Sequence, residues 1–370
     1  MTSLDVQRAL PQMISMRCLA KLAAVFVLSV PAHPARAAET SRPAAAAPAS
    51  PVLLRLEPRT RSFIEGLGMS RATPLHTMPI PLAREFLAAL QEEYALSTVI
   101  PADVADHVLP VGPTGSVPIR IFRPQGSAEP LPVVVYFHGG GWILGDERTH
   151  DRLVRELASL AHAAVVFVKY TPSPEARFPV PLQQAYAATR YIAENGPSLG
   201  LDGSRLALAG DSVGGNMAAV VALLAREHGR PEIRYQALFY PVTDANLDTA
   251  SYRQFAEGPW LTRRTMQWFW NAYAPDPADR ATRYVAPLRA SLAELRGLPP
   301  ALVITDENDV LRDEGEAYAH RLMQAEVSVT AVRALGTIHD FMMLNALADT
   351  PATRSAITLA GEELRRALTR

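Results

Sequence analysis

A serine flanked by glycines lies between an apolar run and a helix-forming run in Leu208–Ala218 (LAGDSVGGNMA). Gly210, Ser212 and Gly214 have the spacing G-x-S-x-G, in which small neighbours allow a tight strand-to-helix turn that exposes the serine hydroxyl. A serine held in this way can act as a nucleophile. A glycine-serine turn that only caps a helix has the same spacing, so the rest of the sequence must decide between the two.

Three consecutive glycines follow an apolar run in Tyr136–Trp142 (YFHGGGW). Glycines let backbone N–H groups come close to a ligand. A phosphate-binding loop is excluded because Asp146 stands where that loop needs a lysine, and a dinucleotide-binding loop is excluded because Leu144 replaces its third glycine. We interpret the segment as an oxyanion loop of the HGGG type, with a flexible glycine loop as the alternative.

An acidic run and a histidine follow two later apolar runs. We interpret most carboxylates of Asp306–Glu316 (DENDVLRDEGE) as part of a solvated loop that leads into a capped helix, and Asp309 as the candidate orienting acid. A calcium loop is excluded, because apolar residues occupy the positions that require an oxygen ligand and a glycine. The segment Gly336–Leu344 (GTIHDFMML) places His339 in a loop before a helix.

These residue types, in this order, predict acyl transfer by a serine. A serine hydroxyl needs a base to take its proton, a carboxylate to orient that base, and donors for the developing oxyanion. Ser212, Asp309 and His339 occur in the nucleophile, acid, histidine order that one class of serine hydrolases uses. The base must be neutral, so we expect activity to fall on acidification near the ordinary histidine pKa of about 6.5. No residue cluster has metal-ligand spacing, and we predict neither a metal nor a cofactor.

The elements that position these residues alternate between short β-branched or apolar runs and longer helical patterns. This alternation predicts an α/β fold with a mostly parallel central sheet flanked by helices. Active sites in such folds lie at the carboxyl ends of the strands. The predicted strands are 117–124, 131–138, 163–170, 205–210, 235–241, 300–306 and 327–334, and one predicted helix is 148–162.

Two segments stand outside this alternation and are predicted to cover the strand ends. One is an N-terminal helical cap segment over residues 53–100. The other is a cap insertion at about 251–280, which contains three of the four tryptophans. The α/β domain itself is expected over 101–370, with the insertion inside it.

The N-terminus has the pattern of a secretory signal. Basic residues precede the apolar segment Leu22–Ala32, and Ala35 and Ala37 supply the small residues of a cleavage site. We predict a signal peptide over 1–37 with cleavage after Ala37, a linker over 38–52, and a periplasmic or secreted mature protein without stable membrane insertion. An uncleaved membrane anchor is the alternative. The start codon is left open among Met1, Met13 and Met16.

The composition excludes some classes of function. A chain of 370 residues with 48% hydrophobic residues can bury a large core. The net charge is −1, and the only lysines are Lys21 and Lys169. Because there is no basic field to attract phosphates, we do not expect nucleic-acid binding.

Four ordered motifs resemble those of the hormone-sensitive-lipase-like family of α/β-hydrolases, the bacterial family IV esterases. They are HGGGW, GDSVGG, DVLRDEGEAYAHRL and HDFMML, and the resemblance runs from about Leu53 to the C-terminus. It implies an α/β-hydrolase fold with a helical cap. It also implies the following roles: Ser212 as nucleophile, His339 as base, Asp309 as its orienting acid, and the N–H groups of Gly140, Gly141 and Val213 as the oxyanion hole, with His138 bracing the glycine loop.

The sequence departs from the family at two positions. Val213 stands where alanine usually follows the nucleophile, and Val310 stands where proline usually follows the acid. The larger side chain of Val213 is expected to narrow the pocket beside the oxyanion hole. The turn at Val310 is expected to be less rigid.

The function that follows is a serine carboxylesterase that hydrolyses short-chain acyl esters through an acyl-enzyme intermediate. Its expected partner is a small-molecule ester, and formation of a homodimer is left open. An amidase or arylesterase with the same triad is one alternative. A non-catalytic ligand-binding protein on a hydrolase scaffold is another, of a different class.

Overall fold

The computed structural model describes residues 55–68, 73–128 and 130–369. The predicted signal peptide (1–37) and linker (38–52) lie outside these residues. Within the described ranges, every helix is too short or too polar to cross a lipid bilayer.

An eight-stranded sheet lies at the centre of this part of the chain. Its strands are β1 (Ala102–Leu109), β2 (Val117–Pro124), β3 (Leu131–Phe137), β4 (Ala164–Val168), β5 (Leu201–Asp211), β6 (Tyr235–Phe239), β7 (Ala301–Asn308) and β8 (Val329–Ile338). Their order across the sheet is β1-β2-β4-β3-β5-β6-β7-β8. The β1–β2 and β2–β4 pairs are antiparallel, and the other five pairs are parallel. The prediction of a mostly parallel sheet is confirmed.

Helices connect and flank these strands. They are α1 (Pro58–Gly66), α2 (Ile80–Glu93), α3 (Asp151–Ala161), α4 (Val180–Asn195), α5 (Val213–Glu227), α6 (Ala250–Gln254), α7 (Arg263–Tyr273), α8 (Pro277–Arg280), α9 (Leu292–Leu295), α10 (Arg312–Gln324) and α11 (Pro351–Thr369). Helix α3 packs against α11, and α4 packs against α5. The predicted helix 148–162 is observed as α3, three residues shorter at its start and one shorter at its end.

Burial separates the inner strands from the edge. Every residue of β3, β4 and β6 is buried, as expected for parallel strands covered by helices on both faces. Strand β1 is mostly exposed or half-buried and pairs only with β2. We did not predict β1, because an exposed edge strand has no apolar run to mark it.

The sheet order brings the predicted site residues to one edge. Ser212 directly follows β5, Asp309 directly follows β7, and His339 directly follows β8. Strands β5 to β8 are parallel and adjacent, so their carboxyl ends meet on one side of the sheet.

The two segments predicted as a cap are largely helical. Helices α1 and α2 and the 3₁₀ turn Leu75–Thr77 lie within 53–100, and α6, α7 and α8 span most of the insertion. Helix α7 contacts the 3₁₀ turn. The rings of Phe63 in α1 and Trp260 in the insertion lie 5.8 Å apart. The N-terminal segment and the insertion therefore touch each other.

Candidate active site

Ser212 lies on the turn between β5 and α5, with a φ of 55° and a ψ of −119°. Few residues with a side chain adopt this backbone conformation, which is typical of strained functional sites. The turn is tight because its neighbours lack side chains. A methyl group on Gly214 would overlap the carbonyl oxygen of Phe137, and one on Gly210 would overlap the backbone of Gly214. The G-x-S-x-G spacing therefore forms a sharp strand-to-helix turn with the serine at its apex.

A chain of hydrogen bonds joins the serine to a histidine and a carboxylate. His339 Nε2 lies 2.9 Å from Ser212 Oγ, and His339 Nδ1 lies 2.8 Å from Asp309 Oδ2. The N–H of Leu311 donates to the other oxygen of Asp309 at 3.1 Å, which fixes the carboxylate. The structure thus brings together the three residues that the sequence analysis selected. In this geometry the imidazole can accept the serine proton while the carboxylate orients it.

The surroundings of His339 favour its protonated form. Burial by itself lowers the pKa of the imidazole, but the charges of Asp309 and Asp340 and the hydrogen bond to Asp309 outweigh this effect and raise the pKa to about 9. Asp340 Oδ1 lies 3.5 Å from His339 Nε2. This value lies above the ordinary histidine pKa of about 6.5 on which we based the expected pH dependence.

The glycine loop presents backbone donors near the serine. Gly140 and Gly141 have φ values of 98° and 66°, which favour glycine, and the carbonyl of Gly140 accepts hydrogen bonds from the N–H groups of Ile143 and Leu144. Val213 is the first residue of α5, where N–H groups lack partners within the helix. Among the described residues, no hydrogen bond engages the N–H of Gly140, Gly141 or Val213. All three predicted oxyanion donors are therefore available.

His138 packs beneath the glycine loop. Its ring stacks on Tyr170 at 4.3 Å and on Phe167 at 5.2 Å, and its Nδ1 lies 2.8 Å from the carbonyl oxygen of Gly139. Burial, with the nearby His150, lowers the pKa of His138 to about 4. A neutral ring in these contacts fits the bracing role that the family resemblance implies.

A second hydroxyl–imidazole–carboxylate arrangement includes Asp211, the residue before Ser212. His150 Nε2 is 3.3 Å from Asp211 Oδ2, and its Nδ1 is 2.8 Å from Thr149 Oγ1. The other oxygen of Asp211 accepts hydrogen bonds from Tyr136 at 2.6 Å and from the N–H of Gly139 at 3.0 Å. Burial opposes ionisation of both partners, yet their mutual charge raises the pKa of His150 and lowers that of Asp211. This buried pair links the serine turn to the glycine loop.

Asp306 is another carboxyl group beside His339. Its side chain is fully buried, and its Oδ2 lies 4.0 Å from His339 Nδ1. Neither of its oxygens has a hydrogen-bond partner among the described residues. Burial, followed by the charges of Asp309 and Asp340, raises its pKa well above the ordinary range. Our interpretation of this acidic run as a solvated loop is wrong here, because Asp306 lies within the buried strand β7.

The same correction applies further along the acidic run. Glu314 is 1% exposed, and its Oε1 accepts hydrogen bonds from the N–H groups of Thr243 and Asp244 at 2.7 and 3.2 Å. Burial raises the pKa of Glu314 well above its usual range. The glutamate ties α10 to the loop after β6, and it does not face solvent.

Helix α2 holds two loops of the site. Arg84 donates to the carbonyl oxygen of Ile143 at 2.8 Å and pairs with Glu175 at 2.8 Å. Gln91 Nε2 donates to the carbonyl oxygens of Thr149, at 2.6 Å, and Met343, at 2.9 Å. The loop after β3 and the loop that carries His339 are therefore joined through a helix of the N-terminal segment.

The insertion contacts the site at three points. Trp260 Nε1 donates to Asp340 Oδ2 at 2.9 Å, next to His339. Ser251 Oγ donates to the carbonyl oxygen of Val310 at 2.7 Å, next to Asp309. Phe269 lies so close to the glycine loop that a methyl group on Gly141 would overlap its ring. The insertion therefore touches the histidine loop, the acid loop and the glycine loop.

One group in the described part of the chain has the composition and spacing of a metal site. Ligand atoms of Asp306, Asp309 and His339 lie within 4.8 Å of one another. Imidazole and carboxylate are ligands that zinc accepts. A cation there would compete with the hydrogen bond between His339 Nδ1 and Asp309.

Several residues around the site escaped the sequence analysis. Asp211 lies inside the GDSVGG motif, and His150 immediately precedes α3, but no local pattern shows that they pair. Asp306 and Asp340 lie beside predicted site residues in the sequence, which is a signal that could have identified them. Arg84 and Gln91 act across more than fifty residues of chain, and no local signal identifies such contacts.

Comparisons with known proteins agree with this architecture. A family model described as alpha/beta hydrolase fold matches residues 134–343. A carboxylesterase of Mycobacterium tuberculosis is 41% identical over 254 residues, which is 68% of this chain and 79% of that protein. An ethyl acetate hydrolase of Pseudomonas putida is 33% identical over 301 residues, which is 80% of this chain and 94% of that protein.

Solved structures show the same similarity. The crystal structure of a thermostable esterase from Pseudomonas putida ECU1011 superposes with a TM-score of 0.83 at 48% sequence identity, covering 86% of this chain and 98% of that one. A carboxyl esterase from the fungus Tuber melanosporum gives a TM-score of 0.78 at 33% identity, covering 85% of this chain and all of that one.

Proposed function

The chain belongs to the hormone-sensitive-lipase-like family of α/β-hydrolases, and on that premise we propose that it is a serine carboxylesterase that hydrolyses short-chain acyl esters through an acyl-enzyme. Hydrolysis of carboxylic esters is the activity of the family members compared above. The observation that carries the assignment of the nucleophile is the 2.9 Å contact between Ser212 Oγ, at the apex of the strained turn, and His339 Nε2.

In the proposed acylation step, Ser212 Oγ attacks the ester carbonyl carbon and His339 Nε2 takes its proton. The carbonyl oxygen becomes an oxyanion, which receives hydrogen bonds from the N–H groups of Gly140, Gly141 and Val213. Asp309 keeps Nδ1–H directed away from the serine and stabilises the imidazolium. His339 then gives its proton to the leaving alcohol, and the acyl group stays on Ser212.

In the proposed deacylation step, water replaces the alcohol. His339 Nε2 takes a proton from the water, the hydroxide oxygen attacks the acyl carbon, and the same donors hold the oxyanion. Collapse of this intermediate returns the proton to Ser212 Oγ and releases the carboxylic acid. The enzyme is restored without any other reactant.

The preference for short acyl groups rests on the side chains around the glycine loop. Phe269 lies against Gly141, and the ring of Trp142 stacks on Tyr273 at 4.0 Å. Val213 adds two methyl groups beside the oxyanion hole. A long acyl chain would have to displace these packed groups at a cost of about 1–3 kcal/mol.

A panel of p-nitrophenyl esters tests this preference. We expect kcat/KM to be highest between acetyl and hexanoyl esters and to fall steeply by dodecanoyl. Phe269→Ala should raise the activity on octanoyl and decanoyl esters relative to the butyryl ester. Faster turnover of long-chain esters than of butyrate by the unaltered enzyme would contradict the proposed pocket.

We also propose that the N-terminal segment 53–100 and the insertion at about 251–280, which lies inside the α/β domain of 101–370, together form a cap over the site. The ring contact between Phe63 and Trp260 and the hydrogen bond from Trp260 to Asp340 support this division.

We also propose that the protein is exported and cleaved after Ala37. N-terminal sequencing of protein recovered from the periplasm or medium of an expressing bacterium tests it.

Covalent trapping tests the nucleophile directly. Diethyl p-nitrophenyl phosphate should release one equivalent of p-nitrophenol, abolish activity and leave a diethyl phosphate group on the peptide that contains Ser212. Ser212→Ala and heat-unfolded wild-type protein should take up none. If a different residue were labelled, and activity were lost in proportion to that labelling, Ser212 would not be the nucleophile.

A further inference from the structure

We propose that Asp306 is a reserve orienting acid, a positioning residue that pairs with His339 Nδ1 when Asp309 cannot. This inference rests on the proposed function, because it assigns Asp309 and His339 to the triad. It starts from geometry. Two carboxyl groups face one imidazole nitrogen, Asp309 at 2.8 Å and Asp306 at 4.0 Å, and only Asp309 forms a hydrogen bond with it.

An irregularity in the sheet brings both carboxyl groups to the same side. Residues three apart on a regular strand point to opposite faces, because side chains alternate with a period of two. The pairing register of β7 with β8 shifts between Asp306 and Asn308, immediately before Asp309. Such bulges redirect side chains and are frequent beside active sites. The shift allows Asp306 and Asp309 to approach the same nitrogen.

The burial of Asp306 lacks a structural explanation. A carboxyl group without hydrogen bonds in a core costs more than an apolar group of the same size. Both oxygens of Asp306 lack a partner among the described residues, and the side chain is fully buried. By contrast, the buried Glu314 accepts two backbone hydrogen bonds through one oxygen. Asp306 therefore does not hold the fold together through polar contacts.

Its surroundings explain why Asp306 stays in reserve. The charged groups that face it are Asp309, Asp340 and His339. Two like charges favour the protonated, neutral form of Asp306, so Asp309 alone pairs with the histidine. Removing Asp309 removes one of those charges and leaves Nδ1–H without an acceptor. Asp306 can then ionise, and a shift of about 1 Å brings it to hydrogen-bond distance.

The experiment compares Asp309→Ala, Asp306→Ala and the double variant by kcat on p-nitrophenyl butyrate. Alanine replaces Asp309 because an asparagine amide would offer a donor to Nδ1 and fix the wrong tautomer. We expect Asp309→Ala to lose roughly 10- to 100-fold, and the double variant to lose roughly 10⁴-fold, close to His339→Ala. Asp306→Ala alone should lose no more than about threefold, since Asp309 is then intact.

A matched control separates this effect from general damage to the core. Asp309→Ala combined with Glu314→Gln alters a second buried carboxyl group nearby and should be no slower than Asp309→Ala. The downfield NMR signal of a hydrogen-bonded imidazole N–H should persist in Asp309→Ala and disappear when Asp306 is also replaced. Circular dichroism establishes that each variant is folded.

Two outcomes overturn the inference. If the double variant is no slower than Asp309→Ala, or if the N–H signal is already absent in Asp309→Ala, Asp306 is not a reserve acid. A different result would refute the proposed function. If Ser212→Ala retained activity, the assignment of Ser212 as nucleophile would be wrong, whatever the activity of the Asp306 variants.

Discussion

Two buried hydroxyl–imidazole–carboxylate arrangements lie next to the turn after β5, and they differ in the other hydrogen bonds that their hydroxyl groups form. In one, His339 joins Ser212 to Asp309; in the other, His150 joins Thr149 to Asp211. The hydroxyl groups are buried to the same degree, and both histidines have a raised pKa. Residue types, the hydrogen bonds within each arrangement and burial therefore do not distinguish Ser212, the proposed nucleophile, from Thr149.

The distinction lies in what else each group binds. The Thr149 hydroxyl already donates to the carbonyl oxygen of Asp146 and accepts from its N–H, both at 2.9 Å. Asp211 is occupied as well, by Tyr136 and Gly139. Ser212 Oγ forms only the contact with His339 within the described residues, on a turn with free backbone donors. Unused hydrogen-bonding capacity therefore distinguishes Ser212, the proposed nucleophile, from Thr149.

The largest expected effect comes from removing the hydroxyl group of Ser212, and removing the hydroxyl group of Thr149 is its matched control. Ser212→Ala should lower kcat on p-nitrophenyl butyrate by a factor of roughly 10⁴ to 10⁶, because the triad acts as a unit. Thr149→Val should keep kcat within about tenfold of wild type. If the two variants lost activity equally, with both proteins folded by circular dichroism, the hydroxyl groups of Ser212 and Thr149 would not differ in their importance for catalysis.

The two histidines should affect activity differently. His339→Asn should abolish turnover, and it should also lower the free energy of unfolding, because it leaves the buried Asp309 without its charged partner. His150→Asn should leave Asp211 buried without its partner and cost about 3–5 kcal/mol of stability, while the folded fraction keeps most of its activity. Urea unfolding and active-site titration measure the two quantities. The comparison breaks down if His150→Asn is inactive but as stable as wild type.

A smaller effect concerns pH. His339 must be neutral to act as a base, so kcat/KM should be low below its pKa and rise with pH to a midpoint near 9. Asp340→Asn removes a charge that raises this pKa, so the midpoint should fall and activity at neutral pH should increase. The matched control is Asp349→Asn, which removes an exposed carboxylate in the loop before α11. A midpoint that stays the same in both variants would show that Asp340 does not act on the base.

The smallest expected effect is that of chelation. We predict that EDTA leaves kcat unchanged, because the proposed mechanism passes through no metal. Inhibition by EDTA that zinc reverses would instead indicate that Asp306, Asp309 and His339 hold a cation. Atomic absorption of the purified protein provides an independent check.

The sequence was sufficient for seven of the eight strands and for selecting the three residues, Ser212, Asp309 and His339, that the structure joins by hydrogen bonds. Buried parallel strands such as β3 and β4 are continuous apolar runs, and Ser212 and the glycine loop have spacings that few other structures need. The edge strand β1 was missed because half of its pattern faces solvent.

The surroundings of the site could not be predicted, because they depend on contacts between distant segments. The acidic character of Asp306–Glu316 suggested solvent exposure, yet Asp306 and Glu314 are buried by the strands and loops packed on them. The raised pKa of His339 depends on Asp309 and on Asp340, and the carboxylate of Asp340 is held by a hydrogen bond from Trp260 in the insertion. The types of residue identify candidate site residues, whereas the pKa values of those residues depend on the charged groups that the fold places around them.

The hydrogen bonds of Gln91 have a consequence for when the enzyme becomes active during its synthesis. This side chain joins Thr149 to Met343, a partner 252 residues further along the chain. A ribosome synthesises the N-terminal segment first, at about 5–20 residues per second. Helix α2 is therefore made long before the loop that carries His339, with which it forms these hydrogen bonds. The nascent chain therefore carries the Ser212 turn before His339, the proposed base, has been made, and we expect ester cleavage to begin only after nearly the whole protein has been synthesised.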